Sequence, residues 1–169
     1  MVTIRPETER DYAGIRNVNR IAFDNAAEAN LIDALRDGGF KEVSLVADLA
    51  SEVIGHIFFS RVKIVTESPT LTAVSLAPMA VHPNHQRQGI GSLLVDAGLK
   101  SCRDRGFDFA IVLGHPNSYQ QFEFSAELAT HLASPFDGGD EWMAHELIAG
   151  SLSSILGEVI YPPPSDELE

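Results

Sequence analysis

Leu76-Ala77-Pro78-Met79-Ala80-Val81-His82-Pro83-Asn84-His85-Gln86-Arg87-Gln88-Gly89-Ile90-Gly91-Ser92 reads as a strand that enters a polar loop and then a helix opened by a glycine pair. Two glycines one residue apart let the backbone turn tightly and expose consecutive N–H groups. Those donors and the positive end of the helix together make an anion site. Arg87 adds a charge close by. The implied ligand carries a phosphate or pyrophosphate. The same glycines could serve close packing alone, and that reading stands beside the first. Two common nucleotide loops do not fit. The dinucleotide fingerprint needs a third glycine near position 94, where Leu94 stands, and a Walker-type loop needs Gly-Lys-Ser/Thr, which is absent.

The strand before the loop adds a second observation. Val74 and Leu76 share one pleat face by parity, whereas Met79 and Val81 have the opposite parity. Pro78, which cannot donate to a ladder, sits at the shift. A one-residue phase change at a proline predicts a β-bulge that parts the strand from its next neighbour. The backbone of Met79 to Val81 would then be open to an extended, amide-bearing ligand. The alternative is an edge strand that merely tolerates Pro78. An amide-bearing arm joined to a pyrophosphate describes CoA.

Gln86-Arg87-Gln88-Gly89-Ile90-Gly91 resembles the Gln/Arg-x-x-Gly-x-Gly/Ala motif of the GNAT superfamily of N-acetyltransferases. Met79-Ala80-Val81-His82-Pro83 matches that family's strand ending, and Tyr119-Gln120-Gln121-Phe122-Glu123-Phe124 is similar to its Tyr-x-x-x-Gly-Phe element. The resemblance is specific over residues 76–124 and looser over about 2–148. Trp142-Met143-Ala144 with Tyr161-Pro162-Pro163 looks like one branch of predicted members. The resemblance implies acetyl transfer from acetyl-CoA to an amine, small molecule or peptide, by direct attack in a ternary complex. It implies that Met79, Ala80 and Val81 hydrogen-bond the pantetheine arm. Arg87, Gln88, Gly89, Ile90, Gly91 and Ser92 would hold the pyrophosphate through backbone N–H groups. Tyr119 would be the acid for the departing thiolate, and the Met79 N–H would meet the thioester carbonyl. Asn117 is a further candidate CoA contact.

Three departures qualify the match. Glu123 replaces the usual glycine, so the turn after Phe122 is expected to differ. Val112 stands where the family often has an asparagine, seven residues before the tyrosine. Gly114-His115-Pro116 is expected to alter the approach to the thioester. A non-catalytic acyl-CoA-binding or sensor domain is the alternative function, and a phosphate-loop protein unrelated to CoA is a third.

No general base is evident. Glu28, His56, His82 and His115 could each act through water, but structural or solvated roles are simpler. His82 and His85 flank Pro83 without a neighbouring carboxylate, so no metal site is expected. Ser75, Ser118 and Cys102 lack the local context of a nucleophile. The acceptor pocket is expected between the first two helices and later loops, around Phe23, Glu28 and Phe136. Asp137-Gly138-Gly139-Asp140-Glu141 could attract a cationic amine or be a solvated turn. For Tyr119 the plain alternative is an aromatic that packs the last helix on the sheet.

Outward from this stretch, the 169 residues fit one domain, 1–161, with an irregular acidic tail, 162–169. Twelve basic against 24 acidic residues give a net charge of -12, which disfavours nucleic acid and membrane surfaces as partners. A single cysteine, the absence of an apolar run near the roughly 18 residues that span a bilayer, and a polar N-terminus lead to a cytoplasmic expectation. A homodimer stays open. Periodicity predicts strands over 2–5, 43–47, 53–65, 71–82, 107–113, 128–133 and 141–148, and helices over 8–23, 26–36, 89–105 and 115–121. The expected fold class is mixed α/β (α+β). In the GNAT-like form it is a mostly antiparallel central sheet of about six to seven strands, flanked by about four helices, with a bulged fourth strand.

Overall fold

In the computed structural model, which describes residues 1–66, 71–135, 139–153 and 155–168, the chain opens with β1 (Val2–Pro6) and two helices, α1 (Tyr12–Phe23) and α2 (Ala27–Asp37). Thr8 donates its N–H to Asp11 at 2.7 Å, which fixes the turn that feeds α1. The Asp11 carboxylate also accepts from both ends of the Arg5 guanidinium, at 2.8 and 2.9 Å, so α1 is tied to β1. The two helices run antiparallel: Arg16 reaches Asp33 at 2.6 Å and Asn30 at 3.1 Å, and Arg36 lies 3.8 Å over the Tyr12 ring.

Three antiparallel strands follow, β2 (Lys41–Leu49), β3 (Glu52–Thr66) and β4 (Ala73–Val81). Next come α3 (Ile90–Asp104), β5 (Phe109–Leu113), the short α4 (Pro116–Tyr119), β6 (Leu132–Ala133), β7 (Trp142–Glu146) and β8 (Gly157–Ile160). The main sheet runs β1-β2-β3-β4-β5-β7, with β8 on β3 and β6 on β8. Among the described residues only the β4–β5 and β6–β8 pairs are parallel. α3 supplies the crossover from β4 to β5, as a parallel pair requires.

Alternation along the strands divides the core between two faces. Val43, Leu45, Ile57, Phe59 and Leu76 meet Leu94, Val95 and Leu99 of α3. On the other face Val46 and Phe58 meet Ile15, Leu31, Ile32 and Leu35 of α1 and α2. A third cluster on β5, β7 and β8, which includes Phe109, Ile111 and Val159, completes the far end.

Three segments depart from the periodic reading. The strand expected over 128–133 shrinks to Leu132–Ala133. Ser125 Oγ accepts from Leu128 N–H at 3.1 Å and i→i+3 bonds follow at Ala129 and Thr130, so this apolar run is spent in turns. β8 was not anticipated: it pairs with Lys63–Thr66, the end of β3 that outruns β2. The tail forms a 3-10 run, Pro163–Leu168, where irregular chain was expected, and it packs against α2. Proline at the first position of such a turn costs no hydrogen bond. Phe136, Asp137 and Gly138 lie outside the described residues.

Candidate active site

The site grows from β4. Below the shift, β4 pairs with β3 as Val74↔Arg61 and Leu76↔Phe59; above it the register is Met79↔Ile57 and Val81↔Gly55. Two residues of β4, Ala77 and Pro78, therefore oppose one of β3, Phe58, which is the bulge that parity predicted. Its consequence lies on the other edge. The parallel pairing of β4 with β5 extends only from Ala73↔Phe109 to Ser75↔Ile111. Beyond Ser75 the two strands part, and a gap opens at their carboxyl ends, where sheets of this kind take ligands.

Antiparallel pairing decides which backbone groups face that gap. His82 donates its N–H to the Ile54 carbonyl at 2.8 Å. Alternation then turns the backbone groups of Ala80 toward β3, and those of Met79 and Val81 toward the gap. The Val81 carbonyl accepts from Gln86 Nε2 at 3.1 Å, which straps the loop to the strand end. Gln86 was read only as a motif position, and nothing in its local pattern signalled this strap.

The loop is shaped by local bonds. His82 Nδ1 accepts from Asn84 N–H at 3.1 Å and caps the turn Pro83–His85. Arg87 then adopts φ +63 and Gly89 φ +82. This pair of left-handed residues, with glycine at the second, turns successive N–H groups to one side. Within α3 the first N–H to find an intrahelical carbonyl is that of Leu93, which donates to Gly89 at 3.1 Å. The N–H groups of Gly89, Ile90, Gly91 and Ser92 stay free of the helix ladder, at its positive end. Arg87 and Gln88 are exposed, and Ile90 turns inward beside Gly55. The start of α3 sits over β4: a Cβ at Gly91 would stand 3.6 Å from Met79 Cε.

Tyr119 closes the third side. It lies just past the carboxyl end of β5, half-buried, edge-on to Phe124 at 5.8 Å between ring centres. Its ring rests on Gly114, where a Cβ would come within 2.6 Å of Cε2, so only glycine admits the ring. Burial raises the phenol above its ordinary pKa, and it stays protonated at neutral pH. Asn117 is exposed in the first turn of α4. Val112 is buried in the core beneath α3, so an apolar packing residue fills the asparagine position.

Glu123 departs from the motif in identity. It takes φ +66, the left-handed geometry that suits glycine, and Phe124 N–H still returns to the Tyr119 carbonyl at 3.4 Å. A glutamate thus holds a backbone geometry that glycine adopts without strain. A β-carbon in this region is strained by about 1 kcal/mol or more. Glu123→Gly is expected to raise stability in urea by about 0.5–1 kcal/mol, less than the strain because glycine also frees the unfolded chain. A loss of stability would mean that the Glu123 side chain contributes more than its backbone costs.

The other candidates separate. His115 is exposed. Cys102 is buried on the inner face of α3, and burial pushes its thiol up to about 12, which removes it as a nucleophile. His56 is fully enclosed between β3 and α1. Glu28 lies in the first turn of α2.

Comparison with known proteins places this geometry. Residues 12–121 match the family model described as "Acetyltransferase (GNAT) family". The chain is 36% identical over 162 residues to the uncharacterised N-acetyltransferase YhbS of Escherichia coli K12, covering 94% of this chain and 95% of that one. The crystal structure of Escherichia coli YhbS in complex with CoA superposes with a TM-score of 0.91 at 32% identity, covering 98% of this chain and 92% of that one. A GNAT family acetyltransferase from Brucella melitensis in complex with acetyl-CoA superposes at 0.81 with 29% identity, covering 98% and 99%.

Proposed function

The chain belongs to the GNAT family of acetyltransferases, and on that premise we propose that it moves an acetyl group from acetyl-CoA to an amine by direct attack in a ternary complex. The observation that carries this reading is the parting of β4 from β5 after Ser75 beside the paired left-handed turns at Arg87 and Gly89. A gap that accepts an extended amide arm and a cluster of N–H donors that accepts a pyrophosphate stand at one end of one strand. The CoA and acetyl-CoA complexes of the two similar structures support the same ligand.

In this reading Met79 and Val81 present backbone groups to the pantetheine arm, and Ala80 holds the strand to β3 between them. The N–H groups of Gly89 to Ser92 hold the pyrophosphate at the helix end, with Arg87 and Gln88 over it and Asn117 on the opposite rim. The Met79 N–H meets the thioester carbonyl oxygen. A preorganised donor there strengthens as charge develops on that oxygen, an effect of about 10²–10³ in rate where single donors have been removed. Tyr119, protonated at neutral pH, gives its proton to the departing thiolate.

Calorimetric titration with acetyl-CoA and with ATP tests the donor half, and thiol release across a panel of amines tests the acceptor half. Heat with acetyl-CoA, little with ATP, and thiol release with at least one amine are expected. No heat with acetyl-CoA would overturn the reading. Heat without release from any amine would favour a non-catalytic acyl-CoA sensor.

A further inference from the structure

Tyr161 lies just past β8, and its ring reaches back to the main sheet. It packs on the cluster that holds Ala73, Phe109 and Ile111, and its hydroxyl meets the Ser75 side chain. Both contacts lead to one place. Ser75 pairs with Ile111 and is the last residue at which β4 and β5 stay together, so Tyr161 stands at the root of the gap. Strand alternation fixes the face. Val74 and Leu76 turn toward α3, whereas Ala73 and Ser75 turn away from it, to the side of α1 and α2.

That side is the one an acceptor must use. The N–H groups at the start of α3 would hold the pyrophosphate on the α3 side, and an arm that threads the gap from there brings its thioester out on the other. There α1 lies over β3 and β4, and Leu152, Ile155 and Val159 cover Phe109 and Ile111 of β5. Tyr161 closes the root of the gap between these two covers. Behind its ring is open space. A cavity of about 580 Å³ is walled by Tyr161, Val62, Ile64, Leu71 and Phe40; its charged members, Arg61 and Lys63, are exposed. Positions along β4 put the three in order: the cavity touches Leu71 and Thr72, Tyr161 meets Ser75, and the gap begins beyond it.

We propose that Tyr161 is a size gate on the acceptor: its ring ends the acceptor site at the root of the gap, so short aliphatic amines reach the thioester and longer chains find no room. This rests on the acetyl-transfer reading of the same site and names its substrate class. Tyr161 forms no bond to the substrate and moves no proton. Burial holds its phenol protonated, with the pKa pushed up to about 12. The cavity behind the ring offers the apolar walls that a longer chain needs, and the ring denies access to them. Each methylene buried there would raise affinity about fourfold, so three of them exceed tenfold.

The test compares n-propylamine with n-hexylamine on wild type, Tyr161→Ala, Tyr161→Leu and Tyr161→Phe, with acetyl-CoA saturating. Wild type is expected to favour propylamine in kcat/KM. Tyr161→Ala joins the cavity to the site and is expected to raise the hexylamine-to-propylamine ratio about tenfold or more. Tyr161→Leu keeps an apolar side chain to hold the tail and raises the ratio about threefold or more. It carries the comparison if Tyr161→Ala loses its fold in thermal melts. Tyr161→Phe keeps the ring and the wild-type ratio. Acetyl-CoA affinity stays the same in all of them. An unchanged ratio in Tyr161→Leu and in folded Tyr161→Ala, a shift in Tyr161→Phe as large as theirs, or a wild type that takes hexylamine as well as propylamine would overturn the proposal. If neither amine is acetylated by any of the four proteins, the transfer reading fails, and calorimetric titration of both amines into the CoA-saturated proteins decides the gate. Hexylamine binding that tightens about tenfold from wild type to Tyr161→Ala, or about threefold to Tyr161→Leu, keeps it. Equal or absent binding ends it.

Discussion

Acidification from pH 7 to pH 4.5 is expected to cost the fold about 2–3 kcal/mol through His56 alone, and by pH 3 about 4 kcal/mol. Burial drives the His56 pKa down from 6.5 to about 3; the nearby Glu7 charge opposes this and Arg36 reinforces it. The unfolded chain takes up a proton near pH 6.5 that the folded one refuses until about 3. Stability therefore falls as pH drops through that window and is whole above it. The hydrogen bonds explain the refusal. Ser44 Oγ donates to Glu7 Oε1, so its oxygen accepts from His56 Nε2 at 2.9 Å. His56 Nδ1 is then the acceptor for Asn19 Nδ2 at 3.2 Å, and that amide also donates to Ile15 O at 3.0 Å. A proton on Nδ1 would face another donor. The tautomer is assigned here from its partners.

Glu7 works in the same direction at lower pH. Burial would raise its carboxyl, but hydrogen bonds from Arg36 and Ser44, and the charges of Arg36 and Lys41, outweigh it and hold the group below its ordinary value. Its stabilisation is present above the unfolded carboxyl range and is lost as pH falls through the folded value. Urea unfolding at steps between pH 7 and pH 4.5 measures the His56 share before Glu7 enters. His56→Gln keeps a side chain able to bond Ser44 and Asn19 and removes the titration, so most of the slope should vanish, leaving the smaller share of His145, whose pKa burial also lowers. A full wild-type slope in His56→Gln would show that the loss arises elsewhere, with His145 the first place to look.

That network also marks where sequence reading stops. Glu7, in the loop after β1, and Asn19, Ser44 and His56, on α1, β2 and β3, are linked by no spacing. They become one chain of bonds only when β2 pairs with β3 and α1 lies on top. The β4 bulge was legible because strand side chains repeat every two residues, and a proline at a phase break leaves few local structures. The helix start at Gly89 was legible because the need for left-handed backbone is written in residue type. Glu123 shows the converse: a residue type that argued for a changed turn occupies the glycine conformation because Tyr119, Phe124 and the end of β5 dictate it. β8 was missed since four residues acquire a strand only from the overhang of β3, which lies about ninety residues away in the chain. Glu28 was legible as a charged residue in a helical pattern. The enclosure of its Oε1 depends on how α2 packs on the sheet, a tertiary fact.

Tyr119→Phe is expected to lower kcat with acetyl-CoA by about 10²–10⁴, the usual range for loss of a positioned general acid, with acetyl-CoA affinity changed less than about threefold. The ring would keep its seat, since Gly114 beneath it and Phe124 at its edge contact carbon atoms that phenylalanine retains. Only the hydroxyl is lost, and in the ground state there is no charged thiolate for it to serve. The effect therefore falls on the transition state and spares binding. Burial lifts the phenol above its ordinary pKa, so the wild-type basic limb of kcat from this group lies above the range of a free tyrosine, and Tyr119→Phe should lack it. Gly114→Ala separates this role from packing. A Cβ there drives into the ring, and it should weaken acetyl-CoA binding and turnover together. If Tyr119→Phe instead loses both in equal measure, Tyr119 serves the site as a wedge between the end of β5 and Phe124, and the thiolate takes its proton from another donor.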